Sequence, residues 1–119
     1  MIESGLLAPE TQRQQPEIGA DLADHMLAWD RRAFITSVRS VLVDRDPVLD
    51  ALAGVNVPTL VVSGKEDHTL PSIHSQRIAE HLPGARHVEV SGAAHLVPLE
   101  RPDEANSLIL DFLEKLPPT

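Results

Sequence analysis

The chain contains no cysteine, which excludes a disulfide scaffold and a thiolate metal centre and fits a reducing compartment. No apolar run approaches the roughly 18 residues that a membrane-crossing helix needs. Positive charge is scarce: 10 Lys and Arg stand against 18 Asp and Glu, for a formal net charge of −8. That balance argues against nucleic acid as a partner, because holding phosphate requires a basic face. The first residues, Met1 to Gly19, have neither a basic start nor a continuous apolar stretch, so no signal peptide is read there. Internal repeats and low-complexity tracts are also missing. The expectation is a soluble, cytoplasmic protein with no membrane partner.

What is present is modest in size. With 119 residues, 42% hydrophobic and 24% charged, the chain makes about one small domain and can bury roughly two thirds of its unfolded surface. Residues 1–18 are polar, hold Pro9 and Pro16, and show no sustained period, so they read as a linker or disordered start. From Asp21 the pattern is helical, with Leu22, Met26 and Trp29 on one face. Phe34, Ile35, Val38, Val41 and Leu42 continue as a second stripe, and the periodicity leaves open whether 21–43 is one bent helix or two. The sequence DRDP at 44–47 stops it, because the residue before a proline leaves the α region. A short helical turn is expected over 47–53.

The period then changes. TLVVS at 59–63 has three successive apolar positions, the mark of a strand buried on both faces of a parallel sheet. Residues 73–82 read as a helix ended by Pro83 and Gly84, RHVEV at 86–90 as a second strand, and 102–116 as a strongly amphipathic helix. Pro102, Asp103 and Glu104 suit the first turn of that last helix by fixed φ and by charge. Strand, helix, strand, helix predicts a parallel crossover unit with helices on the sheet.

In an open parallel sheet, functional groups gather at the carboxyl ends of the strands. One polar loop follows each strand here: GKEDHTLP at 64–71 and SGAAHLVPLERP at 91–102. Both leave the same edge, so Asp67 and His95 are able to meet although 28 residues separate them. A carboxylate against an imidazole fixes its tautomer and stabilises the imidazolium formed when it accepts a proton. The alternative is structural: Asp67 is also a good turn former, Glu66 and Thr69 could serve the same way, and a lone loop histidine among 6 is often merely solvated. Spacing alone leaves the two readings level.

The residues carry a resemblance that tips the balance. Gly64, Asp67 and Pro71 match a G-x-x-D-x-x-x-P loop, and Gly92 and His95 match a G-x-x-H loop followed by Glu100 and Pro102. Together with the closing helix, residues 55–116 resemble the C-terminal part of the α/β-hydrolase superfamily, and residues 20–53 resemble the end of its helical lid. The resemblance implies an α/β fold: part of a three-layer α/β-hydrolase with a short parallel sheet, flanking helices and a lid remnant. It divides the chain into a lead at 1–18, a lid remnant at 19–53 and a core segment at 54–119. It makes Asp67 the acid and His95 the general base for hydrolysis of an ester, lactone or carbon–carbon bond in a small-molecule substrate, with no cofactor.

Other candidates are weaker. Glu66 is the lesser choice of acid, and Glu100 reads as an anchor of the last helix or of its preceding loop. His68, His74, His81 and His87 lack metal-ligand spacing and read as surface residues, so no metal is expected. Met26, Trp29 and Phe34 could face a substrate from the lid, but apolar residues at helical spacing more often pack as core. No glycine pair frames a serine as in G-x-S-x-G, the family's nucleophile elbow; Ser37, Ser40 and Ser63 lie in helix or strand without it. The chain therefore reads as a piece of a longer hydrolase that is inactive alone. Two other readings stand beside it: a non-catalytic binding or assembly module, and one half of a split enzyme. An exposed sheet edge would favour self-association.

Overall fold

A computed structural model describes residues 3–117. Four helices open the chain: α1 (Glu3–Leu6), α2 (Pro9–Gln14), α3 (Pro16–Leu27) and α4 (Arg31–Leu42). A 3-10 helix (Leu49–Gly54) leads to β1 (Leu60–Gly64), then α5 (Ser72–His81), β2 (Arg86–Val90), the short α6 (Val97–Glu100) and α7 (Pro102–Glu114).

The two strands pair in parallel, from Leu60 opposite Arg86 to Gly64 opposite Val90, with α5 as the crossover. Parallel pairing of consecutive strands requires such a crossover, because a tight turn can only reverse the chain. Helix α5 packs on both strands. A second layer forms where Val62 of β1 and Val90 of β2 meet Ala93, Val97, Ala105 and Leu108. The apolar positions of α7 nearest its start thus close on the same sheet end from which both polar loops leave.

The helical stretch over 21–43 is two helices. Asp30 breaks it: its backbone is extended and its side chain accepts the Ala33 N–H at 2.8 Å, capping α4. The indole of Trp29 and the ring of Phe34 sit 5.6 Å apart across this corner. Neither is a core residue: Trp29 is exposed and Phe34 half-buried. Helix α4 has no buried residue at all.

The expected linker over 1–18 is corrected for the described residues. Leu7, Ala8 and Thr11 are among the most buried residues described, and the expected boundary at 18/19 runs through α3. Pro9 and Pro16 start helices here rather than breaking them. Each stands at the first turn of a helix, where the missing N–H has no intrahelical acceptor to lose. The burial has a long-range cause, since the segment is held by Glu100, about 90 positions further along.

Candidate active site

The end of β1 is where the site begins. Beyond Gly64 the chain turns back, with the Lys65 N–H donating to the Val90 carbonyl at 2.9 Å and the Glu66 N–H to the Ala93 carbonyl at 3.0 Å. These bonds lay the acid loop against the histidine loop. Gly64 permits the approach, because a Cβ there would run into the carbonyl oxygens of Ala93 and Ala94. Gly92 turns the second loop at φ +73°, the left-handed region that a glycine enters without strain.

Asp67 sits at the tip of this contact, with its side chain 7% exposed. Its two oxygens do different work. Oδ1 accepts the Thr69 and Leu70 amides at 2.9 and 2.8 Å, the local turn that an aspartate commonly makes. Oδ2 lies 2.8 Å from Nδ1 of His95. The turn and the contact with His95 are therefore not rivals, since one oxygen serves each. An ionised carboxylate only accepts, so Nδ1 is the nitrogen that donates to it, and in the neutral tautomer this leaves the lone pair on Nε2. Nε2 makes no hydrogen bond among the described residues, and the His95 side chain remains 33% exposed. Beside the pair lies an open cavity of about 250 Å³ whose walls include Val62, Gly64, Leu70, Val97 and Ile109. Mostly apolar walls with a few polar groups suit a small organic molecule.

The remaining sequence candidates fall elsewhere. Glu66 holds a buried carboxylate oxygen, Oε2, without a partner, and His68 and His74 are exposed. His87 is half-buried rather than fully exposed, and its position on β2 places it diagonally across from Ser63. Its Nε2 lies 2.8 Å from Ser63 Oγ. No carboxylate is hydrogen-bonded to His87 among the described residues, and Ser63 is buried. That pair satisfies two polar groups inside the sheet layer. No three acidic or histidine residues come together to hold a metal among the described residues. None of the described helices is long and apolar enough to cross a membrane.

Sequence reasoning missed the part that the first residues of the chain play in the site. Leu6 accepts the His95 N–H at 3.1 Å, Gly5 accepts the Thr69 hydroxyl at 2.6 Å, and Glu100 is buried beneath the histidine loop. The available signal was Glu100, two residues before α7, and its expected anchoring of the preceding loop agrees with its bonds to the Ala94 and Leu96 amides.

The geometry has relatives. The family model described as the alpha/beta hydrolase fold matches residues 6–102. Over 63 residues the chain is 40% identical to "Putative carbamate hydrolase RutD" of Azorhizobium caulinodans, covering 53% of this chain and 24% of that protein. A thermophilic esterase from Thermogutta terrifontis superposes with a TM-score of 0.85 at 25% identity, over 95% of this chain and 41% of the esterase. The enol-lactonase of Burkholderia xenovorans LB400 gives a TM-score of 0.87 at 24% identity, over 96% and 43%, and so shows likeness of fold. The chain spans less than half the length of each of these proteins. With a family match across most of its length and a parallel sheet that presents both loops at one edge, the chain belongs to the α/β-hydrolase fold family.

Proposed function

We propose that Asp67 and His95 are the acid and general base of a Ser/Asp/His-type triad that hydrolyses an ester-like carbonyl substrate. The nucleophile is not among these 119 residues. The observation that carries the reading is the Asp67 carboxylate itself, pinned by two backbone amides on one oxygen and bonded to His95 Nδ1 on the other. Fixed in this way, the carboxylate orients the ring and favours the imidazolium.

The chemistry runs as acyl transfer. The nucleophile's hydroxyl oxygen bonds to the substrate carbonyl carbon while its proton passes to His95 Nε2. The tetrahedral intermediate then expels the leaving alcohol, which takes that proton, and water repeats the cycle on the acyl-enzyme. The names of two relatives, an esterase and a carbamate hydrolase, share an acyl carbonyl bearing a heteroatom leaving group. That supports esters and lactones over carbon–carbon bonds as the substrate class. Without a nucleophile or its adjoining oxyanion donor, this chain alone leaves p-nitrophenyl acetate hydrolysis at the rate given by free imidazole.

The test is a chimera in which residues 5–117 replace the matching part of the enol-lactonase. A folded chimera should hydrolyse p-nitrophenyl acetate. His95→Ala should lower kcat by about 10⁶ and Asp67→Asn by about 10⁴, as for triad members elsewhere. A folded chimera whose turnover ignores both substitutions sinks the assignment.

A further inference from the structure

Glu100 is 1% exposed, and no cation reaches its carboxylate among the described residues. A buried charge is tolerated only when hydrogen bonds replace its water. Here there are four. Oε1 accepts the Ala94 amide at 2.8 Å and the Leu96 amide at 3.3 Å. Oε2 accepts the Ala8 amide at 2.6 Å and the Thr11 hydroxyl at 2.9 Å.

The partners are not a random sample of nearby donors. Ala94 and Leu96 flank His95, and the amide between them, that of His95, goes to the Leu6 carbonyl. Three successive amides of the histidine loop are therefore held by one carboxylate and by the segment that the same carboxylate grips. That segment reaches the acid loop as well, where the Thr69 hydroxyl donates to the Gly5 carbonyl. Thr69 is in turn bonded through its amide to Asp67. Residues 5–11 thus form a strap across both loops, and Glu100 is the buried post to which it is tied. Arg101 closes the strap from outside through its ion pair with Glu10 at 3.5 Å.

We propose that Glu100 is a positioning residue for His95: its carboxylate ties the segment Gly5–Thr11 to the histidine loop, and this tie sets the Asp67–His95 hydrogen bond. Its bearing on catalysis rests on the triad reading above, but its effect on geometry does not. An anchor that only stabilised the fold would loosen every part alike. A positioning residue loosens the ring first.

The experiment is proton and amide exchange by NMR on the full 119-residue chain. The unsubstituted chain should show a protected, downfield His95 Nδ1–H that Asp67→Asn removes. Thr11→Val deletes one bond to Oε2 and leaves the Ala94 and Leu96 bonds in place. Exchange of the Ala8 amide and of the His95 Nδ1–H should both rise about tenfold to a hundredfold, as for loss of a charge-assisted hydrogen bond. Amides of the β1–β2 ladder should not change. Thr11→Ser, which keeps the donor, should behave as the parent. Glu100→Gln, which turns one acceptor into a donor, should release the Nδ1–H further. Should that variant fail to fold, the Thr11 pair decides alone. Faster exchange at Ala8 with an unchanged His95 ring proton overturns the proposal, as does the lack of a protected ring proton in the parent. An inactive chimera with a Thr11-dependent ring proton would sink the triad reading and leave the positioning intact.

Discussion

A single carboxylate at residue 67 answers to two demands that usually compete. As a turn former it accepts from the Thr69 and Leu70 amides through Oδ1, and this leaves Oδ2 aimed at the histidine loop. Asp67→Asn keeps an acceptor for the turn yet offers the ring either an NH2 or a neutral oxygen, so orientation suffers more than stability. Gly64 makes the complementary contribution, because the carbonyls of Ala93 and Ala94 occupy the space of its absent Cβ. Those are backbone atoms, and Ala93 O is already committed to the Glu66 amide, so neither can yield cheaply. Gly64→Ala should cost about 1–3 kcal/mol in urea unfolding, the range for overpacking, and should separate His95 from Asp67. A variant within about 0.5 kcal/mol of its parent, typical of a neutral surface change, would mean that the loops do not cross this closely.

Among the elements, α4 and α7 show how differently two amphipathic helices can be held. Helix α7 follows two acidic residues in its first turn and docks through Ala105 and Leu108 onto Val90. It is also tied to β2 by Asp111, which meets Lys115 Nζ at 2.6 Å and Arg86 Nη1 at 3.1 Å. The hydrogen bond from Lys115, then that from Arg86, holds the Asp111 carboxyl below its ordinary value of 3.8. A lowered folded-state value means stability that is present in full above pH 3.8 and lost as pH falls through the folded value. Asp111→Asn should therefore leave the chain slightly less stable than its parent at pH 7, by the small amount typical of an exposed pair, and the two should converge as pH falls below about 4, which flattens the acid limb. An acid limb of unchanged steepness would assign it to other carboxylates. Helix α4 depends on its cap instead. With no buried residue, it has little beyond Asp30 to offset its ordering entropy, so Asp30→Ala should cost about 1 kcal/mol of local stability. Amide exchange over 33–42 reads that loss, and an unchanged rate would show support for α4 beyond its cap.

At the scale of the whole molecule the chain is open. Its radius of gyration is 16.2 Å, against about 13.5 Å for a compact domain of this length. Large apolar residues also face outward: Leu42 is 68% exposed, Val41 56% and Leu27 84%. The sheet has two strands, so β1 presents a row of backbone groups on the side away from β2. Such an edge pairs readily with another chain. We expect concentration-dependent association of the isolated chain, read by sedimentation velocity and reduced by Leu42→Lys or Val41→Lys. A monomer at all concentrations that unfolds cooperatively would show that these surfaces are tolerated in water.

The sequence by itself determined what depends on short range. Three apolar positions in TLVVS, the period of α7 and the proline at its start were enough to give strand, helix and direction. Two polar loops after two parallel strands must leave one edge of a sheet, which puts Asp67 and His95 within reach of each other, whereas singling them out took the resemblance carried by the two loop motifs. Tertiary structure decided what depends on partners far along the chain. Nothing in the local pattern of residues 5–11 distinguishes a strap from a linker, because the group that orders it, Glu100, lies 89 positions beyond Thr11. Likewise the stripe on α4 records what a helix is able to bury, and periodicity holds no information about whether anything lies opposite. Local preference is written in neighbouring residues, whereas burial and the satisfaction of a buried charge are properties of the space that distant residues come to share.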